Sequence, residues 1–183
     1  MSKNNKGYTL TELLIVVGSM TVIAITVFQL YQTVMNSYRV AEEVRRLNRV
    51  QQLILDTAGV VGSYENLTTT DVINLSRSGT NRPSALEPQQ FDSSNPNRIL
   101  NVWKFDVRIG PTSNGRGFIL TEEGVPPEAC SSFVSKLQNT TDQIEVNGIV
   151  VKPLGANIDV AAMSVACGSS QFNKIDFHIY KGY

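Results

Sequence analysis

The hydrophobic residues of this chain are concentrated near its N-terminus. Residues 13–30 form a stretch of 18 residues without a charged side chain, and apolar residues occur on every side of the helix that this stretch would form. About 20 mainly apolar residues suffice to cross the hydrocarbon core of a bilayer as a helix. A surface helix of a globular domain has only one apolar stripe. The pattern therefore predicts a helix surrounded by lipid or by other apolar helices.

After Arg39 the pattern changes to that of an amphipathic helix. Apolar residues recur at spacings of three and four, which is typical of one helical face packed on a core. They are Val40, Val44, Leu47, Val50 and Ile54. The charged residues between them are expected on the exposed face as local ion pairs. They are Glu42, Glu43, Arg45, Arg46 and Arg49. The sequence thus predicts one helix from Thr9 to Ala58, apolar all round over residues 8–32 and amphipathic over 33–58.

The remaining residues, 59–183, are predicted to form a globular head. Residues 63–98 are polar and contain three prolines, which favours a loop with one short helix near Thr69–Leu75. Residues 99–183 contain the strands. Alternation of apolar and polar residues predicts strands at 101–109 and 175–180.

Turn signals complete the prediction for the head. Gly117 follows a Gly/Pro-rich break and begins a further strand, while Pro126 and Pro127 open a helix that extends to about Leu137. Asn147-Gly148 between two apolar runs is a strong signal for a tight hairpin. The predicted fold class is α+β, with the long N-terminal helix packed on an antiparallel sheet of four or five strands.

Composition excludes several functions. The 183 residues carry 16 Lys+Arg against 16 Asp+Glu, so a general phosphate-binding surface, and with it direct nucleic-acid binding, is not expected. One His and two Cys cannot build a four-ligand zinc site without carboxylates. His178 has no nucleophile partner by pattern, and Glu122, Glu123 and Asp142 lack the spacing of a calcium loop. We expect no metal, no cofactor, no catalytic residues and no enzymatic activity.

Glu12 decides between the possible roles of the apolar segment. A cleaved secretory signal and a plain membrane anchor both fit the basic residues Lys3 and Lys6. The apolar run is longer than a usual signal, however, and neither role explains the carboxylate. A charge costs about 2.5–3.5 kcal/mol at the bilayer centre, and less at a helix start, where the dipole favours it. A solvated Glu at the helix start is the simplest alternative.

Residues 6–14, Lys-Gly-Tyr-Thr-Leu-Thr-Glu-Leu-Leu, resemble the prepilin signature of type IV pilins and pseudopilins. In that family a short basic leader ends in Gly, a hydrophobic residue follows, and Glu is fifth in the mature chain. The resemblance implies that residues 1–7 are a leader, cut between Gly7 and Tyr8 by prepilin peptidase. It also implies that Tyr8, in place of the commoner Phe or Met, is N-methylated. Glu12 would then serve assembly by pairing with the Tyr8 amine of a neighbouring subunit.

The resemblance further implies partners and a location. The chain would be a structural subunit that polymerises with other pilin subunits through its apolar helix, with the help of pilus assembly machinery. It would cross the inner membrane once, with its C-terminal head in the periplasm, before entering an extracellular pilus. Such filaments serve adhesion, aggregation, conjugation or DNA uptake. The alternative within the family is a pseudopilin of a type II secretion or competence system.

Cys130 and Cys167 are the two cysteines of the chain. If the head lies outside the cytoplasm, as the family implies, they would be oxidised to a disulfide; two buried thiols are the alternative. The region from Gly124 to Cys167 resembles the C-terminal disulfide region of type IVb pilins. The seven-residue leader is shorter than is usual in that class.

Overall fold

The structure is a computed structural model of the whole chain. It describes residues 9–61, 63–78, 86, 91–92 and 94–180. The predicted cleavage residues Gly7 and Tyr8 lie outside the described residues. The chain divides into two compact units, the first ending at Ser37 and the second beginning at Tyr38.

The first unit contains the apolar half of helix α1, Leu10–Val61. Every side chain from Thr9 to Val34 is exposed, so no described part of this unit buries them. The predicted helix, residues 9–58, is confirmed and extends slightly further.

The second unit contains the rest of α1 and, within its described residues, nine further elements that form the head. The helices are α2, Thr69–Ser78; α3, Pro127–Leu137; and α4, Val160–Gly168. The strands are β1, Ile99–Leu100; β2, Asp106–Pro111; β3, Gly117–Val125; β4, Gln143–Val146; β5, Ile149–Lys152; and β6, Asn173–Tyr180. They form one sheet in the order β1-β2-β3-β6-β4-β5, in which all neighbours are antiparallel. The sheet has six strands where four or five were predicted.

Strand β6 lies in the middle of this sheet although it comes last along the chain. On one side Ile119 of β3 faces His178, and on the other Ile144 of β4 faces Phe177. The prediction of a C-terminal strand is confirmed. Its central place was not predicted, because alternation identifies a strand and not its neighbours.

The core lies between one face of the sheet and the helices. In β3 the side chains of Phe118, Leu120 and Glu122 all point to this face, since alternate residues of a strand share a side. The predicted stripe of α1 is buried against it at Val40, Leu47, Val50 and Ile54, with Val44 partly buried. From α3, Phe133 packs edge-on against Phe177 of β6, with ring centroids 5.4 Å apart.

The predicted hairpin forms at Asn147-Gly148. Asn147 and Gly148 have φ of 53° and 81°, and they join β4 to β5 through the two-residue turn that a twisted antiparallel pair prefers. The helix that opens with Pro126-Pro127 is likewise confirmed as α3.

The predicted strand over residues 101–109 is wrong in its first half, because Asn101 folds residues 101–105 into a turn. The Oδ1 atom of Asn101 accepts hydrogen bonds from the backbone N–H groups of Trp103 and Phe105, at 3.0 and 2.9 Å. Lys104 adopts φ of 68°, which an extended strand excludes. A local side-chain bond therefore overrides the alternation of apolar residues.

Helix α4 was not predicted. Its sequence, VAAMSVACG, has almost no polar residues and hence no helical stripe. The one local signal is Asp159, whose side chain accepts hydrogen bonds from the N–H groups of Ala161 and Ala162 at 2.9 and 3.0 Å. This is a normal N-cap.

Candidate assembly helix, disulfide region and buried charges

The described part of α1 begins with a reciprocal cap between Thr9 and Glu12. The Glu12 N–H donates to Thr9 Oγ1 at 3.3 Å, and the Thr9 N–H donates to Glu12 Oε2, also at 3.3 Å. The hydroxyl of Thr9 donates to the same carboxylate oxygen at 3.3 Å. This is the capping box, which satisfies two N–H groups at a helix start. The carboxylate that the sequence singled out thus has a local role in an isolated chain.

Serine and threonine hydroxyl groups within the apolar half are satisfied by their own helix. Ser19 donates to the carbonyl of Val16 at 2.9 Å, and Thr21 donates to that of Val17 at 2.7 Å. Thr26 and Thr33 bond in the same way to carbonyls four residues earlier. Such bonds remove the need for water or for a partner side chain. These hydroxyls could therefore enter lipid or an apolar helix bundle without an unsatisfied donor.

By length and composition, α1 is the one helix within the described ranges that could cross a membrane. Its most apolar 18-residue window has a mean hydropathy of 2.3, and none of that window is buried inside the structure. An apolar core helix of a soluble domain would be covered by its own fold, and this segment is not.

A disulfide joins Cys130 of α3 to Cys167 of α4. The two Cα atoms are 5.7 Å apart, a usual separation for a bridged pair. Both cysteines are buried, and the bridge closes a segment that contains the β4–β5 hairpin. It therefore fastens the otherwise weakly specified helix α4 to the core.

Two asparagines form hydrogen bonds that stabilise the disulfide region. Asn173, fully buried at the start of β6, donates to the carbonyls of Val125 and Cys167, each at 3.2 Å. Its Oδ1 accepts a bond of 2.8 Å from Asn147 Nδ2, and Asn147 also donates to the carbonyl of Ala166 at 3.1 Å. The hairpin turn, the end of α4 and the start of β6 are thereby held together.

Besides the two asparagines, a cluster of charged and polar side chains is buried between α1, the turn 101–105 and β3. It consists of Glu43, Arg46, Asn101 and Glu122, which we call the charged clasp. The exposed fractions of the Glu43, Arg46 and Glu122 side chains are 0, 1 and 0 %. Arg46 Nη2 donates to both carboxylates, to Glu43 Oε1 and, at 3.1 Å, to Glu122 Oε1. The expectation that Glu43 and Arg46 lie on the exposed face is wrong.

Burial dominates the electrostatics of the clasp. It raises the pKa of Glu122 to about 7, although the charge of Arg46 and the hydrogen bond from Asn101 oppose this rise. Burial also lowers the pKa of Arg46, against the attraction of Glu122 and Glu42. Removing charged groups from water disfavours their charged forms.

Comparison with known proteins decides the family. The family described as PilS N terminal matches residues 37–180, which is most of the chain and all of the described head. The chain belongs to this family. It is a type IV pilin.

A solved structure agrees with this family. The crystal structure of TcpA, a type IV pilin from Vibrio cholerae El Tor biotype, matches this pilin with a TM-score of 0.53 at 13 % sequence identity. The match covers 77 % of this chain and 98 % of the other. At this identity the likeness shows the fold alone. The search of curated proteins found no match.

The predicted site residues of the pilin fall into separate regions. Glu12 lies in the first unit, and Cys130 and Cys167 lie in the second. His178 faces the side of the sheet opposite the core, with Nε2 3.5 Å from Glu145 Oε1. Within the residues that the structure describes, no three His, Cys, Asp or Glu side chains are grouped to hold a metal ion.

Sequence reasoning missed the charged clasp of the pilin, although the sequence contained a signal for it. Glu43 follows Val40 by three residues, so it shares the buried face of α1, and Arg46 follows Glu43 by three. Glu122 continues the alternation of Phe118 and Leu120 in β3. A charged residue at the same spacing as the buried apolar residues should therefore be predicted in the core, paired with a group of opposite charge.

Proposed function

We propose that this pilin is processed at its N-terminus and polymerises into an extracellular pilus through the apolar half of α1. The observation that carries the proposal is the exposed apolar half-helix of a type IV pilin, with serine and threonine hydroxyls satisfied internally. Lipid and a bundle of identical helices are both apolar. The transfer of this segment from membrane to filament should therefore change the free energy little.

Processing would create the charge that Glu12 requires. Cleavage between Gly7 and Tyr8 removes Lys3 and Lys6 with the leader and leaves a cationic amine on Tyr8. In a filament, a neighbouring subunit displaced along the axis could place its Tyr8 amine beside Glu12. An unpaired charge in a helix bundle is strongly destabilising. The pairing would therefore set the register of subunits more than it would add to their net affinity.

The location follows from the same arrangement. Before assembly, residues 8–32 would hold the chain in the inner membrane, with the head on the periplasmic side. The Cys130–Cys167 disulfide supports this placement, because such bonds form and persist in oxidising compartments.

The decisive experiment is an intact-mass measurement on protein sheared from the surface of its own host. We expect a chain that begins at Tyr8 and is one methylene heavier than the unmodified sequence. A Gly7→Leu variant should keep its leader and yield no filaments. Gly18→Ala is the matched control for processing, because a Cβ at Gly18 meets no atom within 4 Å; it should be cleaved normally.

Two outcomes would contradict parts of the proposal. Filament protein that begins at Met1 or Ser2 would exclude cleavage after Gly7. Normal cleavage without any long surface filament, under conditions in which the chain is abundant, would instead favour the pseudopilin alternative.

A further inference from the structure

The charged clasp contains more acid than base. Two carboxyl groups, of Glu43 and Glu122, converge on the one guanidinium of Arg46, and all three side chains are buried. With both carboxyls ionised the buried group would have a net charge of −1. One bound proton makes it neutral, and buried charge without compensation is costly.

The charges around the clasp do not supply the missing positive charge. On α1, Glu42 and Arg49 act on Arg46 with opposite signs. On β3, Glu123 forms its ion pair with Arg108 of β2 at 3.1 Å. Lys104, the charged residue of the turn 101–105, is exposed.

The clasp holds the end of β1 and the turn 101–105 through three bonds. The Val102 N–H donates to Glu43 Oε2 at 3.0 Å, and Arg46 Nη1 donates to the carbonyl of Leu100 at 2.6 Å. Asn101 Nδ2 donates to Glu122 Oε2 at 3.0 Å. The Val102 and Leu100 bonds join this segment to α1, and the Asn101 bond joins it to β3. Asn101 Nδ2 also donates to the carbonyl of Glu123 in β3 at 2.7 Å.

The same turn covers part of the core with the side chain of Trp103. Trp103 packs edge-on against Phe133 of α3, with ring centroids 5.6 Å apart. Phe105 packs on Phe172, 5.1 Å away. Release of the turn would therefore expose Trp103 and the core surface beneath it.

We propose that the charged clasp is a proton-dependent latch. With one proton on its two carboxyl groups it holds the turn 101–105 against α1 and β3, and loss of that proton releases the turn and exposes Trp103. The inference does not depend on filament formation.

The direction and range of the response follow from Glu122. Its pKa is raised from 4.5 to about 7 in the folded head. A carboxyl with a raised pKa stabilises the closed turn fully below pH 4.5, and that contribution is lost as the pH rises through about 7. By this linkage the population ratio of open to closed turn should rise on the order of 50-fold between pH 5 and pH 8.

Trp103 provides a direct measurement, because it is the one tryptophan of the chain. The full chain in detergent micelles is titrated from pH 5 to pH 9 at constant ionic strength. Tryptophan emission is recorded together with hydrogen exchange at the Val102 amide, corrected for the intrinsic pH dependence of exchange. We expect a red shift of emission and a loss of Val102 protection, both with a midpoint near pH 7.

Three variants test the assignment. Glu122→Gln keeps the shape of the side chain and should abolish the transition. His178→Gln is the matched control, since it removes the one histidine of the chain on the side of the sheet opposite the core, and it should leave the transition in place. Glu43→Gln removes the competing carboxyl, so ionised Glu122 and Arg46 are together neutral and the transition near pH 7 should be lost or greatly reduced. If Glu122→Gln does not fold, Glu43→Gln still tests the role of the clasp in the transition.

Several results would overturn the latch. The wild-type protein could show no change in emission or in Val102 exchange between pH 5 and pH 9. The transition could survive in Glu122→Gln, or it could disappear in His178→Gln. A transition that is unchanged in Glu43→Gln would equally exclude competition between the two carboxyls for one guanidinium.

Discussion

Glu12 has one observed role and one proposed role, and a single substitution would not separate them. In the structure its carboxylate completes the capping box with Thr9, and in the proposed filament it would pair with the Tyr8 amine of another subunit. Glutamine at the same position can still cap, because the capping box accepts Glu or Gln. Valine can do neither.

The two roles predict different outcomes for Glu12→Gln and Glu12→Val. If charge pairing sets the register, both variants should reduce the amount of sheared filament roughly tenfold or more. Membrane insertion should remain intact or improve, since a charge is removed. Filaments are counted by electron microscopy and quantified against total cellular protein. Normal filaments from Glu12→Gln alone would assign the residue to capping.

Asn173 is a buried uncharged residue whose loss should destabilise the head. Asn173→Ala removes the donor for two carbonyls and the acceptor for Asn147. Leaving buried polar groups without partners should lower the free energy of unfolding by about 2–4 kcal/mol. Chemical denaturation of the full chain in micelles measures this change in the free energy of unfolding.

Asn157→Ala, at an exposed position before α4, is the control for Asn173→Ala. It should unfold at the wild-type denaturant concentration. Equal stability of the two variants would mean that the buried amide contributes nothing to the head.

At the scale of elements, the sequence predicted those whose signals are local. The apolar run and stripe of α1, the prolines before α3 and the Asn147-Gly148 hairpin each contain their own signal, and each was confirmed. Residues 101–105 were misassigned because the alternation of apolar residues outweighed the local signal of Asn101, whose side chain bonds the turn. The distant partners Glu43 and Glu122, which also hold the turn, leave no local pattern. Helix α4 was missed because its uniformly apolar sequence has no period, and its position depends on Cys130.

The disulfide is the element-scale feature with the clearest energetic consequence. Reduction should lower the free energy of unfolding by about 2–5 kcal/mol, since α4 loses its covalent tie to α3. Thermal unfolding is compared with and without reductant. A Cys130→Ala/Cys167→Ala variant should be less stable and insensitive to reductant. If both thiols of host-purified protein react with an alkylating agent before reduction, the bridge does not exist in the cell.

For the whole molecule, Glu122 predicts an unusual dependence of stability on pH. Its raised pKa contributes stability that is present below pH 4.5 and lost as the pH rises through about 7. The loss between pH 5 and pH 8 should be about 2–3 kcal/mol, measured by denaturant unfolding of the full chain. Asp92, whose pKa is lowered chiefly by Ser94, stays ionised over this range.

Glu122→Gln is the control for that dependence, and its stability should vary little over the same range. A wild-type protein that is more stable at pH 8 than at pH 5 would contradict the sign of the prediction.

The central place of β6 has a consequence for the timing of synthesis. A ribosome produces the chain from residue 1 onward, so β3 and β4 exist well before residues 173–180 that join them. Until those residues appear, β3 and β4 each have an edge without its partner, and the two halves of the sheet have no strand between them. The sheet therefore cannot close before residues 173–180 are made, and in the proposed topology the head would cross the membrane before it finishes folding.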